Sequence, residues 1–267
     1  MSAQAAGTTF EGVDAKANLL QPLRRWAERD PDRVVAMERA GDRVVGWTAR
    51  QTAERVRAVA KGLVASGVAP GDRVALMSHT RLDWMIADLA IMSAGAVTVP
   101  VYETSSSEQL AWILEDSGAV VAVVENDEMR SLFDSVRDRG PDCREVVTIE
   151  PVDGQPGLDR LVELGADVDD GEIERRTDAV VADDLATVIY TSGTTGRPKG
   201  CMLTHRNLCS NVAQTVDAIG SEIRADDTGL LFLPLAHSLT KGNLLFCLEM
   251  GVAVGFTSDI ARLPQEL

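Results

Sequence analysis

The chain has 267 residues, of which 45% are hydrophobic and 25% are charged, and its formal net charge is −15. The hydrophobic and charged fractions are ordinary for a globular protein, and this length can bury one sizeable core or two small ones. This negative charge argues against a nucleic-acid-binding surface, which needs clustered lysine and arginine side chains. It also disfavours electrostatic attraction to anionic lipid.

The four cysteines show neither a C-x-x-C pair nor regular spacing, so we predict small buried residues in a reducing cytosol, not zinc ligands or a disulfide framework. The first twenty residues lack the apolar core of a signal peptide, and no apolar run reaches about eighteen residues. We therefore expect a cytoplasmic chain without a transmembrane segment, for which peripheral contact at the inner membrane surface stays open.

Residues 1–17 are small and polar, and we expect them to be disordered or loosely held. The pattern then predicts a helix over 19–28, a hairpin across 40–42, and a long helix from an N-cap at Thr48 to Gly67. Strands are predicted over 73–77, 97–101, 120–124 and 145–149, with helices between them. The run at 120–124 is apolar throughout, which predicts a strand buried on both faces. This alternation indicates βαβ units and a largely parallel sheet.

A polar, acidic segment rich in glycine follows at 151–184. We predict a connecting excursion with one or two short helices, and we place a boundary between two subdomains here. A second α/β run starts at Leu185. Its pattern predicts strands at 185–190, 229–233 and 252–256, helices after Thr204 and over 239–249, and a further helix at 260–267.

The most informative stretch is YTSGTTGRPKG, from Tyr190 to Gly200, after a predicted buried strand. Its glycines let the backbone turn N–H groups toward a ligand, its hydroxyls can donate, and Lys199 adds a compact positive charge. The stretch therefore predicts a nucleoside triphosphate site, although it is neither a Walker A motif nor a G-x-G-x-x-G fingerprint. The alternative is an ordinary turn with Lys199 in a structural ion pair. The candidate phosphate ligands are Thr191, Ser192, Gly193, Thr194, Thr195, Gly196 and Lys199.

Against the acidic background, a basic cluster stands out after the loop, and we expect the anionic ligand there. Its members are Arg197, Lys199, His205 and Arg206.

The same stretch resembles the phosphate-loop signature of the adenylate-forming superfamily, which comprises acyl-CoA synthetases, peptide-synthetase adenylation domains and luciferases. Every fixed position of that signature is filled. Segments 99–109, 113–119 and 202–208 are also similar to this superfamily. Segment 232–237 resembles the Leu-Pro-Leu-Ala-His segment of long-chain acyl-CoA synthetases, closest to bacterial fatty-acid–CoA ligases. The resemblance runs from about Leu19 to the last residue.

The resemblance implies an α/β fold of the acetyl-CoA synthetase-like large-domain type, incomplete, with largely parallel sheets flanked by helices. Residues 18–267 would be the N-terminal part of an AMP-binding domain whose C-terminal half and small C-terminal domain are absent. The implied reaction is ATP-dependent activation of a fatty acid to an acyl-adenylate and then acyl-CoA. The implied cofactors and partners are ATP, Mg²⁺, coenzyme A as substrate, and the fatty acid.

By the same resemblance, Lys199 and His237 would be catalytic, the loop residues would bind the nucleotide, and Thr194 would help to ligate Mg²⁺. His237 matches a position at the wall between acyl carboxylate and α-phosphate; the alternative is a histidine that caps its helix. His205 is predicted to start a helix rather than to contact substrate. His79 shows no partner and is predicted to be structural.

Trp84 and Trp112 lie among apolar residues and are assigned to the core rather than to an acyl pocket. We expect the 267 residues alone to be inactive, because the family's C-terminal catalytic lysine and magnesium-binding glutamate would lie beyond Leu267. Two rival functions stay open: a non-catalytic nucleotide-binding remnant, and an adenylating enzyme for aryl, amino or medium-chain acids.

Overall fold

The computed structural model describes residues 12–41, 43–191, 197–224 and 226–258. Over these ranges helices and strands alternate much as the sequence predicts, whereas the helix expected at 260–267 lies outside the described residues. The helices are α1 Gln21–Arg29, α2 Ala49–Ala65, α3 Leu82–Ser93, α4 Ser107–Ser117, α5 Asp127–Asp134, α6 Asp159–Leu164, α7 Asp170–Ala179, α8 His205–Ile219 and α9 Ser238–Met250. The strands are β1 Val34–Ala40, β2 Arg43–Thr48, β3 Arg73–Met77, β4 Val97–Val101, β5 Val121–Val124, β6 Glu145–Thr148, β7 Leu185–Thr191, β8 Lys199–Thr204, β9 Thr228–Leu231 and β10 Ala253–Phe256.

The described strands form two sheets. Sheet A has the order β2-β1-β10-β9, and sheet B has the order β6-β5-β3-β4-β7-β8. Most pairs are parallel, as βαβ units require, and β5 is buried along its whole length as predicted. The antiparallel pairs are the predicted β1–β2 hairpin and the β7–β8 hairpin, each at the edge of its sheet. Both sheets are flanked by helices, so the predicted α/β class is confirmed.

The segment 151–184 does not separate the two sheets. β6 before it and β7 after it both belong to sheet B, because β4 pairs with β7 and places Thr98 opposite Thr187. The segment itself forms α6 and α7, which pack on α2, so the predicted excursion with short helices is confirmed. The contact is close: a Cβ added to Gly62 of α2 would lie 2.0 Å from the carbonyl oxygen of Leu161.

Two apolar clusters form the core. One lies between the sheets around α3, which contacts β3 and β4 of sheet B and β1 of sheet A. Trp84 on α3 is fully buried in this cluster, as predicted. The other cluster covers the outer face of sheet B beneath α4 and α5, and it includes Val188 and Tyr190 of β7. The strand that leads into the glycine-rich loop, β7, therefore packs in the apolar cluster that α4 covers.

Three helices begin at reciprocal caps. Thr48, Ser106 and Thr204 each accept the amide of the residue three positions later, whose side chain accepts the cap's own amide in return. Two otherwise unpaired donors are thereby satisfied at each helix start. The predicted cap at Thr48 is confirmed, and Thr204 caps the helix that was predicted to follow it.

Part of the N-terminal segment that we expected to be loose is held in place. The carbonyl oxygen of Val13 accepts from Arg206 Nη1 at 2.8 Å, and that of Ala15 accepts from the amide of Ala182 at 2.9 Å. Residues 1–11 lie outside the described residues. In the part of the chain that the structure describes, no helix has both the length and the apolar character needed to cross a bilayer.

Candidate functional site

The site lies at the carboxyl ends of the parallel strands of sheet B, the edge where open α/β sheets usually bind ligands. The exit of β9 from sheet A reaches this edge as well. The hydroxyl of Thr80, just after β3, donates to the carbonyl oxygen of Leu233 at 2.7 Å. The segment that leads to His237 therefore lies against the ligand-binding edge of sheet B.

β7 and β8 form a hairpin on either side of the glycine-rich loop. Thr191 and Lys199 lie opposite each other as the last described pair of this hairpin. An antiparallel pair holds its two Cα atoms roughly 5 Å apart, so both ends of the loop are fixed in space. The intervening residues lie outside the described part of the chain, and their assignments stay predictions: Ser192, Gly193, Thr194, Thr195 and Gly196.

Lys199 is exposed at the start of β8. Of the four lysines in the chain, Lys61 and Lys241 form ion pairs, but no carboxylate among the described residues lies within ion-pair distance of Lys199. The alternative role as a structural ion-pair partner therefore finds no partner in the described ranges. An unpaired ammonium beside a glycine-rich loop is available to an anionic ligand.

His237 caps α9, which is the role that the sequence left as an alternative. Its Nδ1 accepts from the amide of Leu239 at 3.2 Å, so the proton of the neutral ring lies on Nε2. The side chain is exposed, and no described residue pairs with Nε2. The cap thus orients an N–H donor outward, so capping and ligand contact are compatible. No hydrogen bond joins His237 to Thr191 or Lys199 within the described ranges.

The predicted basic cluster does not form, because an extended strand separates its members. β8 has six residues and spans roughly 20 Å at about 3.3 Å per residue, with Lys199 at its start and His205 just beyond its end. Arg206 instead forms an ion pair with Asp183 at 2.6 Å. Only Arg197 and Lys199 remain beside the loop.

His205 begins α8, as predicted, and is only 2% exposed. Its Nδ1 accepts from the amide of Leu19 at 3.2 Å. Burial, followed by the charge of Lys241, lowers the pKa of His205 to about 4. The ring is therefore neutral at pH 7 and acts as a buried hydrogen-bond acceptor that ties the N-terminal segment to α8.

This pKa predicts a loss of stability in mild acid. The unfolded chain binds a proton at His205 below about pH 6.5, whereas the folded chain binds it only near pH 4, so the free energy of unfolding falls as pH is lowered between these values. The expected loss is about 3 kcal/mol. In His205→Asn the amide oxygen can still accept from Leu19, and this pH-dependent loss should disappear. Urea unfolding of both proteins from pH 7.5 to 4.0 measures it.

A His205→Asn profile parallel to the wild type would contradict the assignment.

His79 has a partner that the sequence did not reveal. Oε2 of Glu125, just after β5, accepts from the Ser78 hydroxyl at 2.8 Å and the His79 amide at 2.7 Å, and lies 3.0 Å from His79 Nδ1. Burial alone would raise the pKa of Glu125, but these hydrogen bonds hold it below its ordinary value. The partner was missed because β3 and β5 become neighbours only in the folded sheet.

Trp112 is half-buried and does not belong to the core, which corrects its assignment. Its Nε1 donates to the carbonyl oxygen of Pro198 at 2.8 Å, and the guanidinium of Arg197 lies 4.6 Å from its ring centroid. One turn later on α4, Asp116 accepts from the Tyr190 hydroxyl at 2.6 Å. Sequence reasoning missed this pair, although a polar-tipped tryptophan and an aspartate at i, i+4 share a helix face.

Cys143 and Cys247 are buried, as predicted, whereas Cys209 is half-buried and Cys201 is exposed. Cys201 is exposed because β8 is an edge strand with little covering it. Burial raises the pKa of Cys209 and Cys247 to about 11, so both thiols stay protonated at neutral pH.

A model of the family described as AMP-binding enzyme matches residues 23–267. The long-chain-fatty-acid–CoA ligase FadD15 of Mycobacterium tuberculosis is 45% identical over 239 residues, which is 88% of this chain and 39% of that protein. The chain thus spans well under half of this relative.

Solved structures agree in fold. The inhibitor-bound N-terminal domain of FACL13 from Mycobacterium tuberculosis superposes with a TM-score of 0.77 at 26% identity, over 92% of this chain and 59% of that one. The anthranilate CoA ligase AuaEII with bound anthranoyl-AMP has a TM-score of 0.75 over 95% of this chain and 47% of that one. At 22% identity, the second match is a likeness of fold alone.

Proposed function

Because the chain belongs to the AMP-binding enzyme family, we propose that it takes part in activating a fatty acid with ATP, first to an acyl-adenylate and then to acyl-CoA. It would do so as part of an AMP-forming long-chain fatty-acid–CoA ligase. The observation that carries this proposal is the 45% identity with a ligase of that name. The filled loop signature at 190–200 supports the ATP-dependent half of the reaction.

In the first step a carboxylate oxygen forms a bond to the α-phosphorus of ATP, and the bond to pyrophosphate breaks. Two anions must approach each other, and negative charge develops on the pyrophosphate leaving group. Hydrogen-bond donors and positive charges held in fixed positions therefore stabilise the transition state. We assign the β- and γ-phosphates to the loop from Thr191 to Lys199. Each charge-assisted hydrogen bond there would contribute about 1.5–3 kcal/mol.

His237 is assigned to the junction between the acyl carboxylate and the α-phosphate. Its capping bond to Leu239 fixes the ring and leaves Nε2–H to donate to an oxygen of either anion. A donor that is already oriented loses little entropy when the ligand binds. In the second step the thiol of coenzyme A attacks the acyl carbonyl carbon and AMP leaves; we assign no described residue to that step.

We assign Mg²⁺ to the loop, where it would be held together with the phosphates. Within the described ranges no group of three or more His, Cys, Asp or Glu side chains is arranged to hold a metal ion. Mg²⁺ is usually bound by one or two protein groups together with phosphates and waters, so a rich protein cage is not needed. We assign the hydroxyl of Thr194 as one ligand. The ion would supply charge neutralisation on the phosphates.

Substrate length is the sharpest test of the long-chain assignment. Each buried methylene contributes about 0.8 kcal/mol, which corresponds to roughly fourfold in kcat/KM. We expect palmitate and oleate to be preferred over acetate and benzoate by several orders of magnitude. The measurement is pyrophosphate–ATP exchange and acyl-CoA formation across acyl lengths, made with the product of the full reading frame that encodes these residues.

The rival functions predict different outcomes of the same assay. A maximum at two to four carbons, or with an aryl or amino acid, would refute the long-chain substrate and leave adenylation standing. Nucleotide binding without acid-dependent exchange would favour the non-catalytic remnant. We place the reaction in the cytoplasm, where ATP and coenzyme A are available, with the fatty acid reached at the inner membrane surface.

A further inference from the structure

One helix holds the chain on both sides of the glycine-rich loop. On the entry side, the hydroxyl of Tyr190 donates to Asp116 Oδ2 at 2.6 Å. On the exit side, Trp112 Nε1 donates to the carbonyl oxygen of Pro198 at 2.8 Å. Trp112 and Asp116 lie four residues apart on α4, and therefore on one face of it. The flanks of the loop are thus fastened to a single rigid element.

The exit side has a second contact. The guanidinium of Arg197 stacks over the Trp112 ring at 4.6 Å from its centroid, which is within the range of a cation–π attraction. Arg197 also lies near Glu115, on the same helix, whose carboxylate pKa is lowered chiefly by Arg139 and to a smaller extent by Arg197. Two consecutive residues before Lys199 are therefore in contact with α4.

The entry side is packed as well as hydrogen-bonded. Burial and the hydrogen bond to Asp116 raise the pKa of Tyr190, so its hydroxyl stays a donor. Its ring lies over Gly200, directly across the hairpin: a Cβ on Gly200 would come within 3.2 Å of Tyr190 Cζ and 2.8 Å of Val188 Cγ1. The tyrosine therefore joins β7, β8 and α4 at one point.

β8 needs such support because, among the described strands, it lies at the edge of sheet B and pairs with β7 alone. Without further contacts an edge hairpin is free to twist and fray, and Lys199 would move with it. A positive charge stabilises the transition state of adenylyl transfer most when it is already in place before the reaction. Two contacts with α4 are suited to prevent that movement: the half-buried Trp112 bonds to Pro198, and the Tyr190 hydroxyl bonds from the hairpin to Asp116.

We propose that α4 positions the two described flanks of the phosphate loop, with Trp112 and Asp116 as positioning residues that act through Pro198 on Lys199 and through Tyr190 on Thr191. The inference rests on the proposed function of the loop. Neither residue contacts the phosphates; each fixes one flank of the loop relative to the carboxyl ends of sheet B.

The chain contains a matched control for Trp112. Trp26 on α1 makes the same two kinds of contact elsewhere, since its Nε1 donates to the carbonyl oxygen of Leu248 at 2.8 Å and Arg33 lies 4.4 Å from its ring centroid. Replacement of either tryptophan removes a similar hydrogen bond and a similar stacked guanidinium. Only Trp112 should affect the loop.

The first readout does not depend on activity. Hydrogen–deuterium exchange of the wild-type chain, Trp112→Leu and Trp26→Leu is compared at the backbone amides of β8 and of Arg197. Trp112→Leu should raise exchange there about tenfold, as expected when a net hydrogen bond and a cation–π contact are lost. Trp26→Leu should leave these amides unchanged. Trp112→Phe keeps an aromatic ring beneath Arg197 and should give an intermediate increase in the exchange rate. This variant provides the test if Trp112→Leu does not fold.

The second readout is kinetic and uses the full reading frame. Trp112→Leu and Asp116→Leu should each raise KM for ATP about tenfold and leave KM for the fatty acid within twofold, since a weakened flank affects only the phosphate side. Asp116→Asn can still accept from Tyr190 and should restore a KM for ATP near that of the wild type. Trp26→Leu should leave both constants unchanged.

Unchanged exchange in Trp112→Leu would overturn the inference, as would faster exchange without a change in KM for ATP. Equal increases in KM for both substrates would also overturn it, because they would indicate general loosening. Lys199→Ala separates this failure from failure of the proposed function. If Lys199→Ala slows pyrophosphate exchange and the α4 variants do not, the function stands and the positioning role is refuted. If Lys199→Ala has no effect, the loop's proposed role is itself refuted.

Discussion

Lys241→Met is expected to lower the free energy of unfolding by about 3–5 kcal/mol, because it strands a buried carboxylate. Nζ of Lys241 lies 2.6 and 2.8 Å from the two oxygens of Asp88, and the two side chains are 0% and 1% exposed. The ammonium also lies 5.5 Å from the ring centroid of Trp84. The pair links α9, which connects two strands of sheet A, to α3, which connects two strands of sheet B.

The net contribution of the ion pair to the free energy of unfolding should be smaller than the cost of removing one partner. Replacing both residues in Lys241→Met/Asp88→Leu leaves no buried charge behind and should recover most of the lost stability. Lys61→Met is the control, because Lys61 forms an equally short pair at 2.8 Å with Asp170, whose side chain is 61% exposed. Its cost should be at most about 1 kcal/mol.

Urea unfolding of these variants at pH 7 measures the difference. If Lys241→Met and Lys61→Met cost the same, Lys241 and Asp88 are not buried as described. A second consequence can be measured in the same protein. Because the charge of Lys241 helps to lower the pKa of His205, that pKa should rise in Lys241→Met.

Lys199→Ala is expected to slow pyrophosphate–ATP exchange by roughly 10²–10³, by analogy with removal of one preorganised donor to a developing charge. Lys199 begins the edge strand beside the loop and has no ion-pair partner among the described residues. Lys199→Arg keeps the positive charge but distributes it over a planar guanidinium group. This variant should therefore recover only part of the wild-type exchange rate.

Lys16→Ala is the matched control, since Lys16 is also exposed and has no ion pair within the described ranges, but lies in the N-terminal segment. Its exchange rate should equal that of the wild type. Thr194→Ala should slow exchange to a similar extent as Lys199→Ala and raise the Mg²⁺ concentration required. Rates within twofold of the wild type in both Lys199→Ala and Thr194→Ala would remove the loop from the mechanism.

The sequence predicted those parts of the fold that depend on near neighbours. The cap at Thr48, the buried strand β5 and the β1–β2 hairpin all follow from residues within a few positions of one another. The pairing of β1 with β10 could not be predicted, because the sequence of an apolar strand does not specify which distant strand it will pair with. The same limit concealed the fact that β6 and β7, on either side of a glycine-rich segment, share one sheet.

For the candidate site, the sequence was enough to propose the loop, because its glycines, hydroxyls and lysine are contiguous. Its support could not be predicted, because Trp112 and Asp116 precede the loop by more than seventy positions and α4 shows a conventional apolar face. The predicted cluster of Lys199 with Arg206 failed for a related reason: residues close in sequence were assumed to be close in space, and an intervening strand carries them apart.

The strand order of sheet A affects how the chain can fold during its synthesis. Ala36 pairs with Val254, so β1 must wait for a partner that leaves the ribosome roughly 220 residues later, or about 10–40 s at ordinary rates of translation. All strands of sheet B are synthesised in that interval. During that interval the nascent chain therefore carries a hairpin whose β1 edge lacks its partner strand. Chaperone binding to the nascent chain should concentrate on residues 34–48 and should end once residues 253–256 have left the ribosome.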